Sequence, residues 1–441
     1  MSSLNVGCFI LSIYASIALA ICKGKYKVNL YMLIMSINII SANFDVSYMN
    51  KSHIWFLDYD PKRSNNVITA IAEVDDHFRS TLYAEIAKKE DGKNLIMSAL
   101  GMEYVLAVAY LGSKGNTASE LENALSLPSK KNLIKGYNHV ATSMKESTKA
   151  VTIKISNHVY VKEGIELKDQ FKKDSNGLEK GIVKELSFSS PKKAAKAINR
   201  QVEKDTNRKI KELFSADSFD ASTELVLVNA IYFKGKWKTK FDKKATRKSK
   251  FHISPSKTVD ADMMKVQGKF AVTSIKGTKA KAIQLPYKGD RYHMIIILPD
   301  ERNSLDEIDK DLEKIQFSKE VTFDKPSTYV VSIPKFKIEA KYDLVENMKQ
   351  LGIKDLFTQG KANLSGFTGD KGLYASAMVQ KAFVEVNEEG SEAAAATGLV
   401  VSSRSLTMPA SFICDHPFEF FIKDSKTGLV LFNGRILDPS Q

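Results

Sequence analysis

The stretch from Gly390 to Phe412, GSEAAAATGLVVSSRSLTMPASF, is flanked by β-type sequence and has no helical period of its own. Before it runs the acidic, strand-like segment Phe383–Glu389 (FVEVNEE). After it comes the β-rich segment His416–Leu437. Small residues fill its first half, and Arg404 is the only Lys or Arg between Lys381 and Lys423. The stretch reads as an exposed bait loop able to become a β-strand, with the rest of the chain built to hold it.

A strand entering a sheet places alternate residues on one face. One face would carry Ser391, Ala393, Ala395 and Thr397, all small and uncharged. The other would carry Glu392, Ala394, Ala396 and Gly398, so the charge falls on the opposite side. Gly390, after Glu389, gives the backbone freedom to reverse direction. A charge at Ser391 would stall entry, because burying it unpaired costs several kcal/mol. Proline there would remove a ladder donor. Alone, AAAAT also suits a linker or a helix cap; the preceding VEVNEEG argues for the hinge.

The chain has 441 residues, of which 43% are hydrophobic and 26% charged, an ordinary globular composition without repeats. Its formal charge is +14, densest over Lys234–Lys250 (KGKWKTKFDKKATRKSK). That run reads as a solvated face, the alternative being a patch for a polyanion or acidic partner. No zinc-finger spacing, RNP pattern or DNA-reading helix is present, so nucleic acid is not an expected partner. There is no G-x-S-x-G, H-E-x-x-H or Walker loop, so the chain is not expected to be an enzyme, and no cofactor or metal is expected.

Residues 5–22 are nearly continuously apolar, and a second apolar run covers Leu30–Ala42. Residues 1–42 read as a leader with signal cleavage near Ala20 or Ala42, or alternatively as a retained anchor. Residues 43–74 read as a flexible extension, and no boundary divides 75–439, so one domain is expected. Cys8 and Cys22 lie in or beside the leader, leaving Cys414 without an internal disulfide partner. Sequons at Asn50 and Asn363 fit a secreted, extracellular glycoprotein.

Along the domain, Phe78, Leu82 and Ile86 form a helical stripe, with Asp75 or Asp76 as its cap. Asn94–Ser98 reads as a short strand and Met102–Leu111 as a buried helix. Thr117 is expected to cap the next helix, and residues 130–147 make another. Val151–Val161 alternates as a strand, and Pro191–Phe214 is expected to contain the helix AAKAINRQVEKDTNRKIKELF, Ala194–Phe214. Glu224–Phe233 (ELVLVNAIYF) is a strand covered on both faces. Further strands are expected at Lys281–Tyr287, His293–Leu298 and Tyr329–Lys337, a helix at residues 343–357, and a hairpin turning at Lys426–Gly428. The fold class is α+β.

Five blocks now carry a resemblance: INRQVEKDTNRKIKELF (Ile198–Phe214), NAIYFKGKWKTKF (Asn229–Phe241), IPKFKIEAKYDLVENMKQLGI (Ile333–Ile353), FVEVNEEGSEAAAAT (Phe383–Thr397) and HPFEFFIKDSKTGLVLFNGRILDP (His416–Pro439). In this order the chain resembles the serpins from about Asp75 to Pro439. The resemblance implies three β-sheets, eight or nine helices and a reactive-centre loop, here about 390–412. It implies a scissile bond fourteen residues beyond the hinge glycine, which is Arg404–Ser405. A cation there suits trypsin-like serine proteases, trapped as a covalent acyl complex when the cut loop inserts. It implies a monomer. It places Ser98, Asn199 and Gln380 beneath the sheet that opens. Two departures stand out: Ala99 and Gly101 replace the family's usual Pro and second Ser, and Gln380 replaces a His. Lys130, Lys131 and Lys135 lie where some members bind heparin or another polyanion. The alternative function is a non-inhibitory carrier or chaperone.

Overall fold

The computed structural model describes residues 67–145, 150–302, 304–312, 321–370, 372–390 and 409–441. The leader, residues 43–66 of the extension with Asn50, and Cys8 and Cys22 lie outside the described residues, whereas residues 67–74, expected to be a flexible extension, are helical.

Nine helices occur among the described residues: α1 (Val67–Lys89), α2 (Ala99–Gly112), α3 (Gly115–Leu125), α4 (Lys130–Lys145), α5 (Asp169–Leu178), α6 (Pro191–Asp205), α7 (Leu305–Leu312), α8 (Val345–Gln350) and α9 (Ser365–Thr368). The strands are β1 (Leu95–Met97), β2 (Val151–Lys162), β3 (Val183–Leu186), β4 (Leu225–Gly235), β5 (Arg247–Ser254), β6 (Lys257–Ser274), β7 (Ala280–Pro286), β8 (Tyr292–Pro299), β9 (Ser327–Pro334), β10 (Phe336–Asp343), β11 (Ala375–Val386), β12 (Ala410–Ile413), β13 (Phe418–Asp424) and β14 (Val430–Ile436).

α2 is buried along its whole length, as its all-round apolar sequence requires. It begins at Ala99 rather than Met102 because the Ser98 hydroxyl caps it, accepting from the Gly101 amide. Several boundaries differ from the sequence expectations. Asp75 lies inside α1, where its carboxylate accepts from the Val430 amide at 3.2 Å. Thr117 lies one turn inside α3 and accepts instead from the Asn363 amide at 2.9 Å. α6 stops at Asp205, since Asn207 and Arg208 take positive φ of 52° and 61°. α8 is short because Gly352 breaks it at φ 94°.

The five-stranded sheet has the order β10-β11-β4-β2-β3. β4 is buried on both faces. Leu225, Leu227, Ile231 and Phe233 join the main core that contains α2, whereas Val226, Val228, Ala230 and Tyr232 pack with Ala194, Ile198 and Val202 of α6. Each large side chain so buried stabilises the fold by about 1.5–3 kcal/mol. The other hydrogen-bonded path has nine strands, β1-β14-β13-β8-β7-β6-β9-β12 with β5 on β6. It comprises two sheets, because β6 pairs with β9 over Met263–Phe270 and with β7 over Ala271–Ser274. With the five-stranded sheet this makes three.

Candidate functional site

β11 and β4 run parallel, in register from Ala375–Leu225 to Val384–Phe233. β10 is antiparallel to β11, and β2 to β4. A strand placed between β11 and β4 can therefore run antiparallel to both. It would replace one parallel ladder by two antiparallel ones, which pair slightly better.

The chain leaving β11 makes that reversal. Asn387 and Gly390 exchange backbone hydrogen bonds of 2.8 and 3.1 Å, closing a tight turn over Glu388 and Glu389. Gly390 is bridged antiparallel to Asn387 on one side and to Lys236, just past the end of β4, on the other. It thus sits between the chain leaving β11 and the chain leaving β4, at the end of their ladder. Only glycine fits: its φ is 121°, and a Cβ would stand 1.9 Å from the Gly235 carbonyl oxygen.

The segment after β4 clamps this turn. The Trp237 and Phe241 amides donate to the Glu389 and Glu388 carbonyls at 3.0 Å each. The Trp237 indole donates to the Asn387 carbonyl at 2.9 Å and stacks on Tyr287 with ring centroids 4.4 Å apart. Glu388 accepts from the Thr246 hydroxyl at 2.8 Å, with Lys335 at 3.4 Å. Burial pushes the Glu388 carboxyl up, but its own amide, Thr246 and Lys335 outweigh burial and hold it below its usual range. Glu389 forms ion pairs with Lys240 at 2.7 Å and Lys243 at 3.7 Å. Part of the basic run Lys234–Lys250 is therefore committed to the hinge and is not simply a solvated face.

Beneath the ladder lies a buried polar chain. Gln380 of β11 donates to the Ser98 carbonyl at 2.7 Å and to Asn229 Oδ1 of β4 at 2.8 Å, while its own Oε1 accepts from the Ser98 amide at 2.9 Å. Asn229 donates to Asn157 Oδ1 of β2 at 2.6 Å. Gln380 and Asn229 are fully buried. The chain ties three neighbouring strands to the start of α2. Gly101 permits its close approach, since a Cβ there would lie 2.3 Å from the Asn229 amide.

The structure brings Ser98 and Gln380 together and places Asn199 elsewhere. Asn199, on α6, accepts from the Leu213 and Phe214 amides at 2.9 Å and donates to the Phe214 carbonyl at 2.7 Å, holding the turn after its helix. Asn229 and Asn157 fill the position assigned to it. The signal for Asn229 was an amide in the middle of the apolar run LVLVNAIYF. Ser391, Glu392, Ala393, Ala394, Ala395, Ala396 and Thr397, with Arg404 and Ser405, lie outside the described residues. On α4, Lys130 donates to the Leu111 carbonyl at 3.2 Å and sits over the Tyr110 ring, and burial lowers its pKa. Lys131 and Lys135 are exposed, one turn apart. Asn363 is half-buried, and its Oδ1 accepts from the Ser365 hydroxyl at 2.8 Å. Cys414 is buried, and no group of three or more His, Cys, Asp or Glu suited to a metal occurs among the described residues. No helix among them is long and apolar enough to cross a membrane.

The family model described as "Serpin (serine protease inhibitor)" matches residues 73–439. Alaserpin of Manduca sexta is 37% identical over 374 residues, covering 84% of this chain and 94% of its own length. Serpin B6 of Macaca fascicularis is 36% identical over 375 residues, covering 84% and 99%. Among solved structures, Serpin48 of the insect Tenebrio molitor superposes with a TM-score of 0.76 at 32% identity, covering 84% of this chain and 98% of that one. The expectation of a secreted, extracellular protein is overturned here. Leukocyte elastase inhibitor and serpins B6, B8 and B9, all among the relatives, are intracellular serpins.

Proposed function

The chain belongs to the serpin family, the serine protease inhibitors, and we propose that it is a suicide substrate for trypsin-like proteases, cut at Arg404–Ser405. The observation that carries this reading is Gly390, bridged antiparallel to both Asn387 and Lys236. A strand continued from Gly390 would follow the same line between β11 and β4. Ser391, Ala393, Ala395 and Thr397 would then share one face, and all four are small and uncharged.

The protease's serine oxygen attacks the Arg404 carbonyl carbon. The peptide bond breaks, the Ser405 amine leaves with a proton, and an ester joins Arg404 to the enzyme. The freed loop enters between β11 and β4 and carries the protease away before water reaches the ester. The uncut form is a kinetic trap. The protein's own part is mechanical, not catalytic. We assign this device to a single domain of residues 75–439, preceded by the leader 1–42 and the extension 43–74, working as a monomer. A polyanion, heparin included, would be met by Lys131 and Lys135, because Lys130 is turned to Leu111 and Tyr110.

Incubation with trypsin followed by a denaturing gel tests the reading. A complex that survives SDS is expected, with a released fragment whose sequence starts at Ser405. Arg404→Ala should abolish it. Clean cleavage without a complex would leave a non-inhibitory carrier or chaperone scaffold instead.

A further inference from the structure

α6 differs sharply between its two sides. Ala194, Ala195, Ile198 and Val202 are buried and pack on the outward side chains of β4. Six residues of α6 are exposed: five are the cations Lys192, Lys193, Lys196, Arg200 and Lys204, and the sixth is Ala197. Lys192, Lys196, Arg200 and Lys204 recur at every fourth residue. They therefore stand in one column along the helix, about 6 Å apart and about 18 Å from end to end. Arg208, four residues further on in the turn, is exposed too. None of these cations forms an ion pair among the described residues.

The arrangement works against the helix that carries it. Lys192 and Lys193 sit in the first turn, which holds no acid and where the helix dipole opposes positive charge. Each neighbouring pair in the column is a like-charge pair at i, i+4 spacing, which is unfavourable. Arg208 takes a φ of 61°, in the left-handed region, while its amide donates to the Glu203 carbonyl at 2.7 Å. That backbone conformation suits glycine and strains a long side chain. Of the two acids on α6, Asp205 is engaged with Ser156, His158 and Gln201, and Glu203 is half-buried. Nothing within the fold offsets the column, which leaves it for negative charge supplied from outside.

We propose that the outer face of α6 docks a linear chain of phosphates, laid along the column from Lys192 to Lys204 and reaching Arg208. No aromatic ring, hydroxyl or amide is among the exposed residues of α6, so bases and sugars find nothing there to stack on or bond. Charge is all that the face offers, and a phosphate chain is a ligand of charge alone. The other side of α6 is committed to the sheet, so the helix cannot sink into a duplex groove as a reading helix does. Lysine suits the task, because its ammonium is a point charge on a flexible stem and meets phosphate without a fixed fork. The surface shares no residue with Lys131 and Lys135 of α4, and its binding does not depend on the inhibitor reading.

Inorganic polyphosphate titrated into the full-length chain tests this by calorimetry, with orthophosphate at equal phosphorus as the control. Polyphosphate should bind and orthophosphate should not. Raising the salt from about 50 to about 200 mM should weaken binding at least tenfold, as counterion release at four or more charges requires. Lys192→Gln, Lys196→Gln, Arg200→Gln and Lys204→Gln together should weaken polyphosphate at least tenfold without lowering the melting temperature. Lys131→Gln with Lys135→Gln should weaken it less than threefold. Arg208→Gly, which relieves the backbone, should weaken it at least twofold; an unchanged affinity there removes Arg208 from the surface. A quadruple variant that binds polyphosphate as the parent does overturns the site. So does a lowered melting temperature with affinity intact, since the cations would then serve the fold. If heparin or single-stranded DNA of equal charge binds the parent more tightly and loses that affinity in the quadruple variant, the phosphate chain is overturned as the occupant.

Discussion

Gln380 and Asn229 are register partners across the parallel ladder of β11 and β4, and their side chains are hydrogen-bonded at 2.8 Å in the fully buried centre of the sheet. Separating the strands breaks this bond in a place where water cannot replace it. Gln380→Leu would leave the Ser98 amide and carbonyl and the Asn229 side-chain oxygen without the partner that Gln380 supplies. A loss of about 3 kcal/mol or more is expected, from three groups at about 1–3 kcal/mol per unsatisfied buried group. The urea midpoint of the uncut protein measures it, and an unmoved midpoint would show that the chain contributes nothing to holding the sheet closed.

Gly390 meets both limits on a side chain at once. Its φ of 121° strains any L-residue, and a Cβ would stand 1.9 Å from the Gly235 carbonyl oxygen. Gly390→Val should therefore release the turn from Lys236. We expect the melting temperature of the uncut protein to fall by several degrees, corresponding to about 1–3 kcal/mol. Trypsin complexes should become scarcer, with cleaved free protein in their place.

Thr397 lies on the face that insertion buries, seven residues beyond the hinge glycine. Thr397→Arg puts an unpaired cation on that face, at a cost of several kcal/mol. Trypsin should still cut at Arg404–Ser405 at an unchanged rate. The product should be a released, cleaved chain in place of the complex. Undiminished complex formation would falsify the assignment of this face to the sheet interior.

Asp75 makes stability depend on pH. Burial is the main cause that pushes its carboxyl from 3.8 to about 7; Arg79, the Val430 amide and Lys423 oppose it, and Asp76 adds to it. Glu103, buried beside it, is raised for the same reason and by Asp75 itself. The folded state therefore holds a proton that the unfolded chain gives up. The stabilisation is complete below pH ~4, declines as pH rises, and is gone above about 7. Asp75→Asn keeps an acceptor for the Val430 amide and removes the titration. Its melting temperature should fall less than the parent's between pH 5 and pH 8.5.

Local chemistry was legible in the sequence wherever periodicity or punctuation carries it. β4 announced its two-sided burial through continuous apolar character, and the hairpin through Lys426–Gly428. The turn at Gly390 was legible in a glycine set directly after the strand-like run VEVNEE. What could not be read was register. Asn157 is separated from Asn229 by 72 residues, and Asn229 from Gln380 by 151, so no window of sequence shows them as one chain. Asn199 was assigned to that cluster on resemblance, and α6 turns it instead to the loop at Leu213 and Phe214. Lys240 and Lys243 looked like solvent-facing charge because their partner, Glu389, comes from the far end of the domain. The end of α6 was missed because Asn207 and Arg208 enter the left-handed region without a glycine to signal it.

The parallel pairing of β11 and β4 also sets an order of events as the chain first folds. No hairpin can join two parallel strands, and contacts between distant segments form slowly. The gap that Gln380 and Asn229 close therefore stays open until the last third of the domain arrives, bringing the hinge with it. On the proposed reading, closure of the ladder and premature entry of the loop compete for one vacancy. The useful form is the one reached first rather than the one of lowest energy. The clamp of Trp237, Lys240 and Lys243 on the turn at Gly390 is then a device of timing: it holds the loop at the threshold while the ladder closes.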